Sequence, residues 1–336
     1  MRKLKIAILM GGPSSEHEVS IKSGLNALKN LNSKKYKAVP VFIDTRGYWL
    51  FPGKHEHPLT EPEAILNLEQ LKVKAVLIAL HGEYGEDGGV QSVLSAGKIP
   101  FTGSKSLPSA LSMHKVLAGN VFVRAGLLVP ESYEIKKSDW KSKSQVVLKH
   151  IYNTFGNIVV IKPTNRGSSI GVSLVRIFKN NLHPLDLAIQ KAFSVSRHVI
   201  AQKYISGREV TCGVLDVSGT AEALMPTEII PIESSFFDFK AKYEGASKEI
   251  TPPKKMSLKL IKRIEGVALV AHKALGLKGV TRTDMIIDND NNIYVLETNT
   301  IPGLTEASLI PKQAKTCGIS FPKLLDLMIK DALHEA

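Results

Sequence analysis

In residues 4–31, LKIAILMGGPSSEHEVSIKSGLNALKNL, a strand signal runs straight into a helix signal. Leu4–Met10 is short, continuous and apolar, the pattern of a strand buried in a sheet. Gly11-Gly12-Pro13 ends it. Ser14 and Ser15 are N-cap candidates, because a hydroxyl oxygen can accept a first-turn amide. Glu16 and Glu18 then fall where the helix dipole favours negative charge, and the helix reaches about Leu31. Val39–Ile43 and Val73–Leu80 read as further strands, and Gly88–Ser95 as another short helix. This β-α-β alternation predicts an open parallel sheet with helices on its faces. Ile99-Pro100-Phe101-Thr102-Gly103 closes the unit and places a boundary near residue 104.

Beyond that point the pattern changes. A helix is expected around Pro108–Arg124, then a strand over Val129–Ile135. Ile158–Lys162 is strongly strand-like and is stopped by Pro163. His198–Ile205 fits another strand and carries a second boundary, so the chain divides into 1–103, 104–205 and 206–336. The last unit mixes β-rich stretches, Glu209–Val217 and Ala223–Pro231, with the helix-length run Leu258–Leu275. Asp284–Asp288 and Asn292–Leu296 flank Asn289-Asp290-Asn291 as a hairpin. Residues 233–253 show no period and read as a long loop, a kind that is usually functional or disordered. The fold class is therefore α/β at the start and α+β after it.

Composition narrows the function. A length of 336 residues suggests about two or three domains. With 43% hydrophobic and 22% charged residues, disordered, collagen-like and coiled-coil classes are excluded. Cys212 and Cys317 are too few for a disulfide framework, and no C-x-x-C spacing offers a zinc site. No run approaches the roughly 18 apolar residues of a membrane helix. Ile6–Met10 is shorter than a signal-peptide core of about 7–15 residues, so a cytoplasmic location is expected. Lys and Arg outnumber Asp and Glu by 13, yet they are scattered, with only pairs such as Lys34-Lys35 and Lys254-Lys255. Aromatics do not interleave with them, which argues against a nucleic-acid partner and leaves an anionic small substrate such as a nucleotide.

The strongest chemical constellation is R-T-D at 282–284 with E-T-N at 297–299. On facing strands of one hairpin, Asp284 and Glu297 can converge, and Asn299 shares Glu297's face because side chains alternate. Two carboxylates and an amide form a hard oxygen set suited to Mg²⁺, which fills its shell with waters and phosphate oxygens. On spacing alone, a charged hairpin facing water reads equally well. The loop Asn165–Gly171 can bring backbone amides and hydroxyls to phosphate, although a Gly/Ser loop is often only a turn. It matches neither the P-loop nor G-x-G-x-x-G. Lys162 at a strand end and Lys115 on a helix are within reach of a triphosphate, or are solvated surface charges. His81 and Glu16 each follow a strand, the place where open α/β sheets bind ligands.

Taken in order along essentially the whole chain, several segments resemble the D-alanine–D-alanine ligases of the ATP-grasp superfamily. They are GGPSSEHEVS (11–20), HGEYGEDG (81–88), FTGS (101–104), ALSMHK (110–115), IKPTNRGSSIGVS (161–173), KAKY (240–243), TRTDM (281–285) and LETNTIPGLTEASL (296–309). The resemblance implies an ATP-grasp architecture: an N-terminal substrate-binding domain, a central subdomain for ATP phosphates, and a C-terminal subdomain with metal, substrate and lid. It implies ATP-dependent joining of two D-alanines through an acyl phosphate for peptidoglycan precursors. Two Mg²⁺ ions, with Mn²⁺ as a possible substitute, and a homodimer are also implied.

Residue by residue, Lys115, Lys162 and the serine loop with Ser168 and Ser169 resemble the ATP-phosphate contacts. Gln202, Lys203, Tyr204, Ile205 and Glu209 fall on the adenine and ribose hinge, and Lys242 joins the nucleotide set. Asp284, Glu297 and Asn299 match the metal ligands. Glu16 matches the carboxylate for the first D-alanine's ammonium, with Ser168 and Tyr243 completing a hydrogen-bonded triad. Val19, His81 and Leu309 line the substrate side, while Arg282, the Gly303 amide and Ser308 hold the reacting oxygen and the second carboxylate. The loop 233–253 resembles a mobile lid. Gln202 stands where many relatives have Glu, and His114 where many have Asp.

Overall fold

The apolar run that opens the chain forms β1 (Leu4–Gly11), buried from Ile6 onward, in a computed structural model that describes residues 3–53, 57–167, 170–178, 181–231 and 247–334. β2 (Tyr36–Ile43) and β4 (Ala75–Ile78) flank β1 in parallel, and the short β3 (Trp49–Leu50) adds an antiparallel edge. The helices of this unit are α1 (His17–Asn30), α2 (Glu61–Gln70) and α3 (Gly89–Ala96). One face of the sheet packs Leu9, Val41 and Ile78 against Trp49, Leu68 and Leu94. The N-cap of α1 is Glu16, not Ser14 or Ser15. Ser14 instead spends its hydroxyl on the turn before the helix, where Glu16 donates its N–H to Ser14 Oγ at 3.0 Å.

The expected single helix over Pro108–Arg124 is two, α4 (Ser106–Met113) and α5 (Lys115–Arg124). His114 takes an extended conformation (φ −88°, ψ 97°) that ends one helix and caps the next. A second sheet follows in the order β5 (Ser132–Lys136), β8 (His198–Lys203), β6 (Ile158–Pro163), β7 (Ser173–Arg176), antiparallel throughout. α6 (Lys137–Phe155) and α7 (His183–Phe193) cover it, placing Leu148, Ile151 and Ile189 against Val159 and Ile161.

The third sheet runs β12 (Ser247–Ile250), β11 (Thr227–Pro231), β9 (Arg208–Val217), β13 (Val280–Ile287), β14 (Ile293–Asn299), with β10 (Thr220–Ala223) beside β9. α8 (Leu258–Ala274) packs Ile264, Ala268 and Ala271 on its apolar face. The expected strand Ala223–Pro231 is split between β10 and β11, and part of the expected loop 233–253 is strand β12 paired with β11. Residues 232–246, including the KAKY segment, lie outside the described residues. At the predicted hairpin turn, Asp288 accepts the Asp290 and Asn292 amides at 2.9 and 2.8 Å, and Asn291 adopts φ +61°.

After α9 (Leu309–Thr316), the last helix α10 (Phe321–His334) returns to the beginning of the chain. Its Leu324, Leu325 and Ile329 share one core with Ile6, Ile8 and Met10 of β1 and with Leu215 and Val280 of the third sheet. Asp326 fixes the docking: it accepts the Tyr36 hydroxyl at 2.6 Å and pairs with Lys35 at 3.0 Å. Burial first, then that carboxylate, push the Tyr36 phenol upward in pKa, so it stays a donor. First and third sheets thus form one packed body, and the site lies along its seam. Among the described residues no helix is long and apolar enough to cross a membrane.

Candidate active site

The β13–β14 register puts Asp284 opposite Glu297 and Arg282 opposite Asn299, with a bulge just after Asp284. Asp284 is held from two sides. Arg282 donates Nε and Nη2 to its two oxygens at 2.8 and 2.7 Å, and Thr211 of β9 donates Oγ1 to Oδ1 at 2.6 Å. Thr211 stands opposite Asp284 across the β9–β13 ladder. Glu297 pairs with Lys115 at 3.0 Å, and the same ammonium donates to the Arg166 carbonyl at 2.7 Å. Lys115 is itself anchored through its N–H to the Thr164 carbonyl at 2.9 Å, which ties α5 to the end of β6.

Lys162 is buried at the end of β6. Desolvation, reinforced by Lys115, pulls its ammonium from the usual 10.5 down to about 8, and Glu297 counteracts only in part. Two lysines therefore share one carboxylate. That leaves surplus positive charge, which a polyanion would complete.

Two cavities, of about 450 and 380 Å³, meet at Lys115, Asp284, Glu297 and Ile229. The larger is lined by Glu16, Val19, His81, Arg282, Asn299, Gly303, Ser308 and Leu309. The smaller is lined by Lys162, Gln202, Lys203, Tyr204, Ile205 and Glu209. Every described residue assigned a site role from the sequence thus lines one of two adjoining spaces, whereas His114 lines neither. Ser168, Ser169, Lys242 and Tyr243 lie outside the described residues.

Glu16 reaches its cavity beside Gly82, which has φ +70°; a Cβ there would sit 2.3 Å from Ser14 Oγ and 3.0 Å from Glu16 Oε2. His81 is buried, with Nδ1 2.9 Å from the Ile301 carbonyl and Nε2 2.8 Å from Ser23 Oγ. A carbonyl requires a donor, so Nδ1 carries a proton, while Nε2 shares the second hydrogen bond with the Ser23 hydroxyl. His81 therefore holds the 301–304 loop as well as lining the cavity. Ser308 caps no amide of α9; its Oγ accepts the Thr305 N–H at 3.0 Å and lies against Gly303.

The donor set can be tested against a divalent ion. Among the described residues no three His, Cys, Asp or Glu side chains converge, so a transition-metal site of that kind does not fit. Two facing carboxylates and an amide do fit a hard cation that brings water and phosphate oxygens of its own. Among the described residues Asp284 Oδ2 accepts one bond, from Arg282, and keeps acceptor capacity.

Residues 5–104 match the family described as D-ala D-ala ligase N-terminus, and residues 121–330 match D-ala D-ala ligase C-terminus. The chain belongs to the D-alanine–D-alanine ligase family. As a member it is an ATP-using, carbon–nitrogen-bond-forming ligase of ATP-grasp fold. It is 39% identical to the D-alanine--D-alanine ligase of Syntrophobacter fumaroxidans over 99% of both chains. It is 34% identical to that of Clostridium beijerinckii, covering 98% of this chain and 99% of the other. Among solved structures it is similar to the VanG D-Ala:D-Ser ligase of Enterococcus faecalis, with TM-score 0.82, 32% identity, and 98% and 100% of the two chains covered. The Bacillus anthracis D-alanine--D-alanine ligase complexed with ATP aligns with TM-score 0.78 at 30% identity over 99% of this chain and 98% of that one.

Three groups of this D-alanine–D-alanine ligase family member escaped the sequence reading. Thr211 carries no motif; only the sheet register reveals it. Glu228 is buried on the wall of the smaller cavity, clasped by Arg208 at 2.7 and 2.8 Å. A lone carboxylate inside the apolar run 227–231 was the available signal for it. Glu83, beyond His81, forms an ion pair with Arg166 and so joins the 81–88 loop to the serine loop.

Proposed function

We propose that the protein joins two molecules of D-alanine into D-alanyl-D-alanine with ATP, through an acyl phosphate, as a step of peptidoglycan precursor synthesis. The observation that carries this reading is the shared wall of the two cavities, where Lys115, Asp284 and Glu297 stand between a nucleotide space and a substrate space. The smaller cavity takes ATP, with Gln202 to Ile205 and Glu209 around adenine and ribose and Lys115 and Lys162 toward the phosphates. Asp284, Glu297 and Asn299 would hold Mg²⁺, two ions by resemblance, with Mn²⁺ as substitute; the metal supplies charge neutralisation on the triphosphate.

The chain's own groups then act in sequence. Glu16 pairs with the ammonium of the first D-alanine and turns its carboxylate toward the shared wall. Lys115 and Lys162 stabilise the γ-phosphoryl group as it moves to a carboxylate oxygen and ADP departs. The second D-alanine, amine deprotonated, attacks the acyl carbon. Arg282 and the Gly303 amide take up the charge on the tetrahedral oxyanion, and inorganic phosphate leaves as the amide forms. The division of labour follows the three units: 1–103 for substrate, 104–205 for ATP, 206–336 for metal and oxyanion. Use of cytosolic ATP supports a cytoplasmic site of action, and the family resemblance supports a homodimer without membrane or nucleic-acid partners.

The test is ADP release with D-alanine, D-lactate, D-serine and L-alanine as acceptors beside D-alanine, with product analysis. D-alanine-dependent ADP release with D-Ala–D-Ala as product is expected. The likeness to a D-Ala:D-Ser ligase makes D-serine the rival acceptor. D-Ala–D-Ser as main product would replace the proposed substrate, and no D-alanine-dependent ADP would overturn the reading.

A further inference from the structure

Helix α1 carries more than Glu16 and Val19. Ser23 and Asn26 continue the same face at helical spacing, and both reach a loop nearly 300 positions away in sequence. Ser23 Oγ accepts the Leu304 N–H at 3.2 Å and lies 2.8 Å from His81 Nε2. Asn26 Nδ2 donates to the Leu304 carbonyl at 2.7 Å. Asn30 donates to Asn26 Oδ1 at 3.0 Å, which fixes the amide so that its NH₂ faces the loop. His81 completes the grip on the Ile301 carbonyl at 2.9 Å. The chain is thereby held on both sides of Gly303, at Leu304 by α1 and at Ile301 by His81, whose ring meets Ser23 of the same helix. Gly303 itself is wedged on Ser308, whose Oγ would lie 2.6 Å from any added Cβ.

We propose that Ser23 and Asn26 are positioning residues that aim the Gly303 amide at the reacting carbonyl through their clamp on Leu304. The proposal rests on the ligase reading for what the amide does. One rigid helix face then sets the spacing between the ammonium-binding Glu16 and the oxyanion donor. The two halves of the site belong to different sheets, and this helix face keeps them in register. Catalysis depends steeply on such spacing, since a misplacement of about 1 Å can cost roughly 10²-fold in rate.

The experiment compares Ser23→Ala, Asn26→Ala and the double variant with the wild-type chain. Ser20→Ala serves as a matched control: Ser20 is as buried and on the same helix, but it bonds Gly11 N and Ala79 O at 2.8 Å rather than the loop. Two readouts are taken: amide hydrogen exchange at Leu304, and kcat with KM for ATP. The expected result is at least tenfold faster exchange at Leu304. In the single variants kcat should fall about tenfold with KM for ATP held within about twofold. Ser20→Ala should keep its kcat. Unchanged exchange at Leu304, or unchanged kcat in the double variant, would overturn the proposal, as would an equal loss in Ser20→Ala. A wild-type chain without D-alanine-dependent ADP release would instead strike the ligase reading, and exchange at Leu304 would still report on the clamp.

Discussion

The two strands of the β13–β14 hairpin handle charge in opposite ways. On β13, Asp284 is neutralised within its own strand by the two-pronged Arg282, with Thr211 filling a further acceptor site. On β14, Glu297 touches Lys115, while Lys162 stays buried nearby with its pKa drawn down to about 8. The first cluster balances its charge internally and is held rigidly, with acceptor capacity left on Asp284 Oδ2. The second carries positive charge in excess of its carboxylate and is completed by an anion. On the proposed reading, the lysine side supplies the binding energy for a phosphate chain and the arginine side the geometric fidelity.

Neutralising each carboxylate separates the two roles and gives the largest effects. Asp284→Asn and Glu297→Gln should both abolish ligation at saturating Mg²⁺, because each removes a charge from the metal set. They should differ otherwise. Asp284→Asn takes away the charge gripped by the buried Arg282 fork and should cost about 3 kcal/mol of stability in denaturant unfolding. Glu297→Gln removes the carboxylate that Lys115 and Lys162 share, so it too should destabilise the free protein, but a bound phosphate chain replaces that charge and metal-free ATP binding should restore most of the loss. Near-wild-type turnover in either variant would remove the metal assignment. Equal stability losses with ATP bound would erase the contrast between the clusters.

Arg282→Lys comes next. An ammonium cannot reproduce the fork on Asp284, nor its placement toward an oxyanion. A loss of about 10²-fold in kcat is expected, by analogy with removal of an oxyanion donor. A loss under about threefold would place Arg282 outside the reacting centre. Thr211→Val keeps shape but deletes the donor to Asp284. Its expected cost is about 1–2 kcal/mol in folding stability, read by thermal unfolding.

Much of the proposed site was legible because its residues cluster in short segments of sequence. Asp284, Glu297 and Asn299 follow from hairpin alternation, and the parallel start of the chain follows from β-α-β periodicity. What stayed hidden depends on long-range register. Thr211 reaches Asp284 only because β9 pairs with β13, and Asn26 meets Leu304 only because the first and third sheets share a core. The break at His114 was invisible for a local reason: apolar residues on both sides keep a continuous helical period. Helix α6 went unnamed because its first half is Lys- and Ser-rich and its period is interrupted at Lys143, where φ is −139°.

That break also yields the smallest prediction. The His114 ring accepts the Leu117 N–H at 3.5 Å, a poor cap for the helix that carries Lys115. His114→Asp should stabilise the protein by about 0.5–1 kcal/mol, seen as a raised Tm, with turnover nearly unchanged. An unchanged or lowered Tm would mean that the cap is already satisfied.

The contrast between clusters is tested most directly by the Kd for ATP measured from pH 7 to 9.5. A bound polyanion favours the charged form of Lys162, so its pKa must rise on binding. The free protein holds Lys162 at about 8. Affinity should then be flat below that value and weaken steadily above it, as the free protein sheds a proton that the complex must take back. Lys162→Arg, charged throughout, should remove the slope. A wild-type Kd that stays constant to pH 9.5 would contradict the account of an incomplete lysine cluster waiting for phosphate.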